Sequence, residues 1–260
     1  MDEGGVIGKL AHGLAAGSGM LTAWIGANDV AVVDALAREA YDAVTLDMQH
    51  GAVDFDGATR SILRVALAGK PTIARVPIGG FALASQLMDS GACGILAPMI
   101  DSGEDARRLV ESVKFPPLGQ RSWGPRAALP LSGLDAPAYL RAANAMTQAI
   151  AMIETRAALD ALDDILSVEG LDGVYVGPSD LSIALANGAS VEPRGDAVMS
   201  EARRVVERAK AHGKYAAMFC FDGADARDMM ALGFQLCTIS SDQTLLRGVA
   251  RSELAAARAG

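Results

Sequence analysis

Five ionisable residues stand where short apolar runs end, and their types define a chemistry. One run ends in Asp47-Met-Gln-His50-Gly51, another in Arg75-Val-Pro77, a third in Glu154-Thr155-Arg156 and a fourth in Gly177-Pro178-Ser179-Asp180. Glu154 and Asp180 offer two hard oxygen ligands with no His or Cys beside them. That set suits Mg²⁺ or Mn²⁺, with Co²⁺ as a third candidate, water and substrate oxygens completing the shell. An α-keto acid fills two open positions through its carboxylate and keto oxygen, and the adjacent C–H becomes acidic enough to form an enolate. Arg75 can neutralise the charge developing on the enolate oxygen, and His50 is the proton-transfer group, because histidine is the residue type whose unperturbed pKa lies near neutrality. Asp47, three residues earlier, can hold the imidazole tautomer through a hydrogen bond to one ring nitrogen. In the turn opened by Gly177 and Pro178, the N–H groups of Ser179 and Asp180 can receive a substrate carboxylate.

Such residues need elements that bring four run ends together. Eight apolar, β-branched-rich runs alternate with helical periodicity: Leu21 to Ile25, Ala43 to Leu46, Thr72 to Ala74, Gly94 to Ala97, Ala149 to Ile153, Gly173 to Val176, Tyr215 to Met218 and Leu236 to Ile239. Between them lie helical patterns such as Asp29 to Ala40 and Gly103 to Ser112, several stopping at glycines: Gly91, Gly170, Gly213 and Gly233. The alternation implies parallel strands and an α/β fold of the (β/α)8 TIM-barrel class, one domain over residues 1–260. A doubly wound open sheet is the rival, but no strand leads into a G-x-G-x-x-G turn. The irregular interval from Lys114 to Ala143, rich in Pro, Gly and Arg, is long enough to expect a functional loop. The Ala-rich stretch from Leu245 to Gly260 is expected to be a terminal helix that closes the barrel or packs on a partner.

With 51% hydrophobic but only 5% aromatic residues, the core must be built from Ala, Val, Leu, Ile and Met. No apolar run is long enough to span a bilayer, and a net charge of −8 opposes nucleic-acid and membrane partners. Met1 to Leu10 lacks a basic segment followed by an apolar core, so the expectation is a cytoplasmic location without a secretory signal. Cys93, Cys220 and Cys237 lie in apolar stretches without C-x-x-C spacing and are expected as buried free thiols.

Each site residue also has a plainer reading. Asp180 before Leu181-Ser-Ile can be a helix cap, Arg75 a bridge between carboxylates, and His50 a satisfied loop residue. Their coincidence on four strand ends favours the chemical reading. The five lysines, Lys9, Lys70, Lys114, Lys210 and Lys214, fall outside the strand C-terminal ends, which disfavours an imine mechanism. The ends of the last two runs form no Gly-rich phosphate cradle, so the substrate is expected to be unphosphorylated.

At this level of detail the chain resembles the class II pyruvate aldolases of the HpcH/HpaI type, which include 4-hydroxy-2-oxoheptanedioate and 2-dehydro-3-deoxyglucarate aldolases. The markers are Leu46-Asp-Met-Gln-His-Gly51, Ile73-Ala-Arg-Val-Pro77, Gly94-Ile-Leu-Ala-Pro-Met99, Gly119-Gln-Arg121, Met152-Ile-Glu-Thr-Arg156 and, most specific, Leu171-Asp-Gly-Val-Tyr-Val-Gly-Pro-Ser-Asp-Leu-Ser182. The resemblance implies Glu154 and Asp180 as metal ligands, Arg75 as enolate stabiliser and His50 with Asp47 as the acid/base pair. It implies a 2-oxo acid and an aldehyde as small-molecule partners, a C-terminal helix exchanged between subunits, and a homo-oligomer, hexameric by analogy. Trp24, Arg121, Trp123 and Arg126 are further candidates for substrate contact. Two positions depart from the family pattern: Met152 stands where Gln is common, and Gln49 where Glu is common. The expected reaction is reversible aldol cleavage of a 4-hydroxy-2-oxo acid. The alternatives are an oxaloacetate decarboxylase, a citrate-lyase-type acyl-CoA lyase, or a barrel that binds a keto acid without turnover.

Overall fold

The computed structural model describes residues 4–259; the ends of the expected 1–260 domain, residues 1–3 and 260, lie outside the described residues. Eight strands, β1 (Met20–Ile25), β2 (Ala43–Asp47), β3 (Thr72–Arg75), β4 (Gly94–Ala97), β5 (Gln148–Ile153), β6 (Gly173–Val176), β7 (Tyr215–Cys220) and β8 (Leu236–Ile239), pair in parallel in chain order, and β8 closes on β1. The expected (β/α)8 barrel is therefore formed. Each expected run is a strand, and the differences lie at the ends. β2 and β3 each take in one more residue, so Asp47 and Arg75 are register partners inside the sheet.

The period of two along each strand decides what faces where. On β5, Ala149, Ala151 and Ile153 pack outward with Ala74, Val174 and Met218, whereas Ile150 and Met152 join Trp24, Leu96 and Tyr175 in the barrel interior. Midway up that interior, Thr22 meets Thr45 at 2.8 Å and Tyr175 meets Thr238 at 2.6 Å. These four hydroxyls are satisfied across strands, whereas the buried Tyr215 hydroxyl nearer the opposite mouth has no partner among the described residues. The same alternation, followed to the C-terminal rim, puts Trp24, Asp47, Arg75, Glu154, Gly177 and Phe219 in the inward set.

The opposite mouth is covered by a helix, Gly5–Ala16, whose Ile7, Leu10 and Leu14 pack with Met20, Tyr215 and Leu236. All three cysteines are buried and free, as expected. None of the described helices is long and apolar enough to cross a membrane.

Two expectations need correction. The interval from Lys114 to Ala143 is not one irregular loop: it contains the helix Ala128–Ser132 and most of the helix Ala136–Met146. Pro137 is tolerated there because it sits in the first turn, behind an N-cap in which Asp135 accepts from the Ala138 N–H. The C-terminal helix begins earlier than expected, running Asp242–Arg258, and it does not close the barrel. Of its residues only Asp242 is buried, while Leu246 (72% exposed), Val249 (64%) and Leu254 (52%) face outward.

Lys114 anchors the start of the long interval to the base of the barrel. Its buried ammonium donates to the carbonyls of Asn144 and Thr147 and lies 2.7 Å from Asp172 Oδ2, which also accepts from the Ala149 N–H. Replacing it strands a largely buried carboxylate. Lys114→Met is expected to lower unfolding free energy by about 3 kcal/mol, read from the urea midpoint; an unchanged midpoint would show that this ion pair contributes nothing.

Candidate active site

A cleft of about 310 Å³ opens at the C-terminal rim of the barrel, lined by Asp47, His50, Arg75, Glu154 and Asp180 together with Trp24, Met152, Phe219 and Asp242. A larger hollow of about 850 Å³ at the other mouth, beside Lys210, Lys214 and Gln235, contains none of the five. The chemistry-bearing residues therefore converge on one side only, the side where βα loops build active sites in this architecture.

Asp47 and Arg75 form the centre of the rim. Arg75 Nε donates to Asp47 Oδ1 at 2.9 Å and Nη2 to Oδ2 at 2.6 Å, and both residues are buried. Trp24 Nε1 donates to Oδ2 at 3.2 Å, while the N–H groups of Gln49 and His50 each reach Oδ1 at 3.1 Å. Burial raises the Asp47 pKa, but Arg75 and these backbone donors outweigh it and hold the carboxyl below its ordinary range. The guanidinium carbon sits 4.7 Å from the Trp24 ring centroid, a cation–π contact that fixes its plane.

This arrangement corrects one expectation. With five donors on its two oxygens, Asp47 is committed to Arg75, Trp24 and the chain, and it does not hold the His50 imidazole. It places His50 through the backbone instead, by folding the loop over itself. The exposed ring of His50 stands in the cleft wall. That loop passes so near β1 that a Cβ on Gly51 would lie 2.9 Å from Gly26 Cα, which explains a glycine there.

Glu154 has a different environment. It is 2% exposed and takes one N–H, from Met99 to Oε1 at 2.9 Å. Burial pushes its pKa up, the Met99 N–H offsets part of this, the Asp180 charge adds to it and Arg75 subtracts, leaving it at about 7. Gly177 makes room for the carboxylate, since a Cβ there would fall on Glu154 Oε2. Asp180 is not the helix cap of its plainer reading. Gly177 is the N-cap of helix Pro178–Leu185, and Asp180 is an exposed residue of the first turn. The N–H groups of Ser179 and Asp180 belong to that turn and have no intrahelical acceptor, so they are available to an anion. Glu154 and Asp180 are a pair of hard donors with uncompensated charge, which fits a divalent cation. Among the described residues no three or more His, Cys, Asp or Glu gather for a metal, so water or substrate would complete its shell.

Arg121, Trp123 and Arg126 are not in the cleft. The Arg121 side chain is fully buried, 2.7 Å from Asp89 Oδ1 and 4.5 Å from the Phe115 centroid. Trp123 packs on Phe115 and Tyr139, and Arg126 lines a separate hollow with Asp89 and Phe55. The physical reason is topological: these residues follow the helix Gly103–Val113 and precede β5, so they belong to an αβ connection rather than to the βα loops of the rim. Gln49 does not line the cleft either, and its amide oxygen is buried without a partner. Met152 does line it.

Three contributors escaped the sequence reading. Phe219, edge-on to Trp24 at 5.4 Å, was signalled only by its inward place on β7. Asp242 accepts from the N–H groups of Gly26 and Ala27 at 3.1 and 2.9 Å and joins the β1 and β8 ends. Met99 has φ 54°, and its role depends on a backbone turn that side-chain type does not encode.

Comparison with known proteins agrees with this geometry. Residues 20–248 match the HpcH/HpaI aldolase/citrate lyase family. A hydroxypyruvate/pyruvate aldolase of Rhizorhabdus wittichii is 38% identical over 92% of this chain and 94% of its own. A 2-keto-3-deoxy-L-rhamnonate aldolase of Salmonella gallinarum is 31% identical over 94% and 91%. The crystal structure of an HpcH/HpaI aldolase from Desulfitobacterium hafniense superposes with a TM-score of 0.89 at 25% identity, covering 96% of this chain and 97% of that one. The barrel, the converging rim residues and these matches along most of its length establish that the chain belongs to the HpcH/HpaI aldolase/citrate lyase family and is a carbon–carbon lyase.

Proposed function

We propose that the chain catalyses metal-dependent, reversible cleavage of a 4-hydroxy-2-oxo acid into an aldehyde and pyruvate or hydroxypyruvate. The observation that carries this reading is the gathering of Arg75, His50 and the Glu154–Asp180 pair in one 310 Å³ cleft. The similarity to the hydroxypyruvate/pyruvate aldolase of Rhizorhabdus supports pyruvate or hydroxypyruvate, and that to the 2-keto-3-deoxy-L-rhamnonate aldolase of Salmonella supports a 2-oxo acid as the compound cleaved. Glu154 and Asp180 would hold the cation, Mg²⁺ or Mn²⁺ with Co²⁺ as the third candidate. When bound it supplies Lewis acidity at the keto group.

The chain's own residues account for the rest. The Ser179 and Asp180 N–H groups receive the substrate carboxylate. Arg75 directs its Nε N–H and one Nη2 N–H at Asp47, which leaves Nη1 and the second Nη2 N–H to stabilise charge on the C2 oxygen. His50 takes the proton of the C4 hydroxyl, the C3–C4 pair passes into the enolate as the aldehyde carbonyl forms, and the His50 imidazolium gives a proton to C3, which completes the acid and restores the neutral ring. Trp24 floors the cleft and keeps Arg75 in place. The exposed apolar side of Asp242–Arg258 is proposed to pack on a second copy of the chain, in keeping with helix exchange in a homo-oligomer, hexameric by resemblance.

Three measurements test these assignments. In proton NMR, deuterium should exchange into the methyl group of pyruvate with Mg²⁺ or Mn²⁺ and stop with EDTA. His50→Ala should slow exchange about 100-fold or more, and no exchange with any divalent metal would sink the enolate reading. Folding raises the Glu154 pKa from 4.5 to about 7, so the metal-free protein loses stability as pH rises between those values, and cation binding below pH 7 must expel a proton. Apparent Mn²⁺ affinity should therefore fall about tenfold per pH unit below 7 and level off above it. A flat profile from pH 5 to 8 in calorimetry would show that no carboxyl with a raised pKa is among the ligands. Leu246→Glu with Val249→Glu should convert the assembly to smaller species in light scattering; an unchanged mass would place the interface elsewhere.

A further inference from the structure

We infer that the left-handed turn at Met99, latched by Asp101 to Thr155, is a positioning device that holds Glu154 ready for a cation. The inference rests on the metal-binding reading of Glu154 and Asp180. Beyond β4 the chain crosses toward the end of β5 as Pro98-Met99-Ile100-Asp101. Among the described residues Met99, Asn187 and Ser240 are the non-glycine positions with positive φ. Asparagine tolerates that region through local hydrogen bonding, whereas methionine has no such compensation, so the conformation at Met99 costs free energy. What it achieves is direction: the Met99 N–H points at Glu154 Oε1, 2.9 Å away.

The turn is held from the other side as well. Thr155, the residue after Glu154, donates its hydroxyl to Asp101 Oδ1. The same hydroxyl accepts from the Ala158 N–H at 3.0 Å as the cap of helix Arg156–Asp160. The β4 loop and the β5 end are thereby joined twice, at Met99 and Glu154 and again just downstream at Asp101 and Thr155. Oε2 is confined in turn by Gly177, where an added Cβ would land on that oxygen and lie 3.0 Å from Glu154 Cβ. One oxygen is tied to an amide and the other fits against a glycine, so a long side chain with several rotamers is reduced to one. Ligand orientation of this kind governs metal affinity without any contact to the metal itself.

The side chain of Met99 is 38% exposed, which makes the turn accessible to substitution without disturbing the core. Met99→Val disfavours the left-handed region through β-branching, whereas Met99→Gly favours it and keeps the N–H. Thr155→Val removes the latch, and Thr155→Ser retains it. Metal-free protein is titrated with Mn²⁺ by calorimetry, alongside thermal melts in EDTA that record any effect on folding alone. Both valine variants should bind Mn²⁺ about tenfold more weakly, with Met99→Gly and Thr155→Ser within about twofold of the parent. Folded valine variants that bind like the parent would overturn the latch while leaving the cation site intact. Absence of Mn²⁺ binding by the parent chain would instead overturn the cation reading, and this inference with it.

Discussion

The rim of this barrel depends on one interaction, the buried pair between Asp47 and Arg75. Two charges taken out of water cost several kcal/mol each, and their attraction repays that only when geometry and the remaining hydrogen bonds are good. Here the strands supply the geometry. Asp47 and Arg75 are register partners on neighbouring parallel strands and both face inward, which brings a bidentate contact about without distortion. Trp24 from β1 and two backbone N–H groups complete the carboxylate. Arg75 gains a fixed plane, and the loop carrying His50 gains a fixed start.

Glu154 shows the opposite solution on the same rim. Asp47 is oversupplied with donors and stays below the ordinary carboxylate range, whereas Glu154, equally buried, takes one N–H and faces a second carboxylate. Two acids set in environments that drive their protonation apart are assigned different work. The first organises a cation that belongs to the protein, and the second is left short of one. That imbalance makes a strained turn at Met99 worthwhile, because an uncompensated carboxylate in an apolar setting would otherwise turn toward water.

Placement around the cleft follows a simple rule with a clear exception. The cleft residues beyond the strands come from the loop or the first helical turn that follows a strand, as His50, Asp180 and Asp242 do. Arg121 and Trp123 carry the right chemistry but follow a helix rather than a strand, and they serve packing around Phe115 and Asp89 instead. Composition identifies a loop as rich in functional residue types; it does not say which end of the barrel the loop occupies.

Much of the architecture was legible in the chain. Eight apolar runs, glycine stops and short spacings determine a parallel barrel, because each run can bury both faces only between neighbours and helices. The same alternation determines which strand-end residues point inward, so the convergence of Asp47, Arg75 and Glu154 followed from sequence once the barrel was granted, while Asp180 enters through the first turn of the helix after β6. Tertiary structure alone decided the partners. Asp47 had as much reason in sequence to meet His50, three residues away, as Arg75, twenty-eight away. Register between β2 and β3 chose Arg75, and five donors then closed the carboxylate to the imidazole. The Met99 amide and Asp242 entered the site by backbone direction and helix placement, which residue type does not encode, and the raised pKa of Glu154 follows from burial that exists only when the barrel closes.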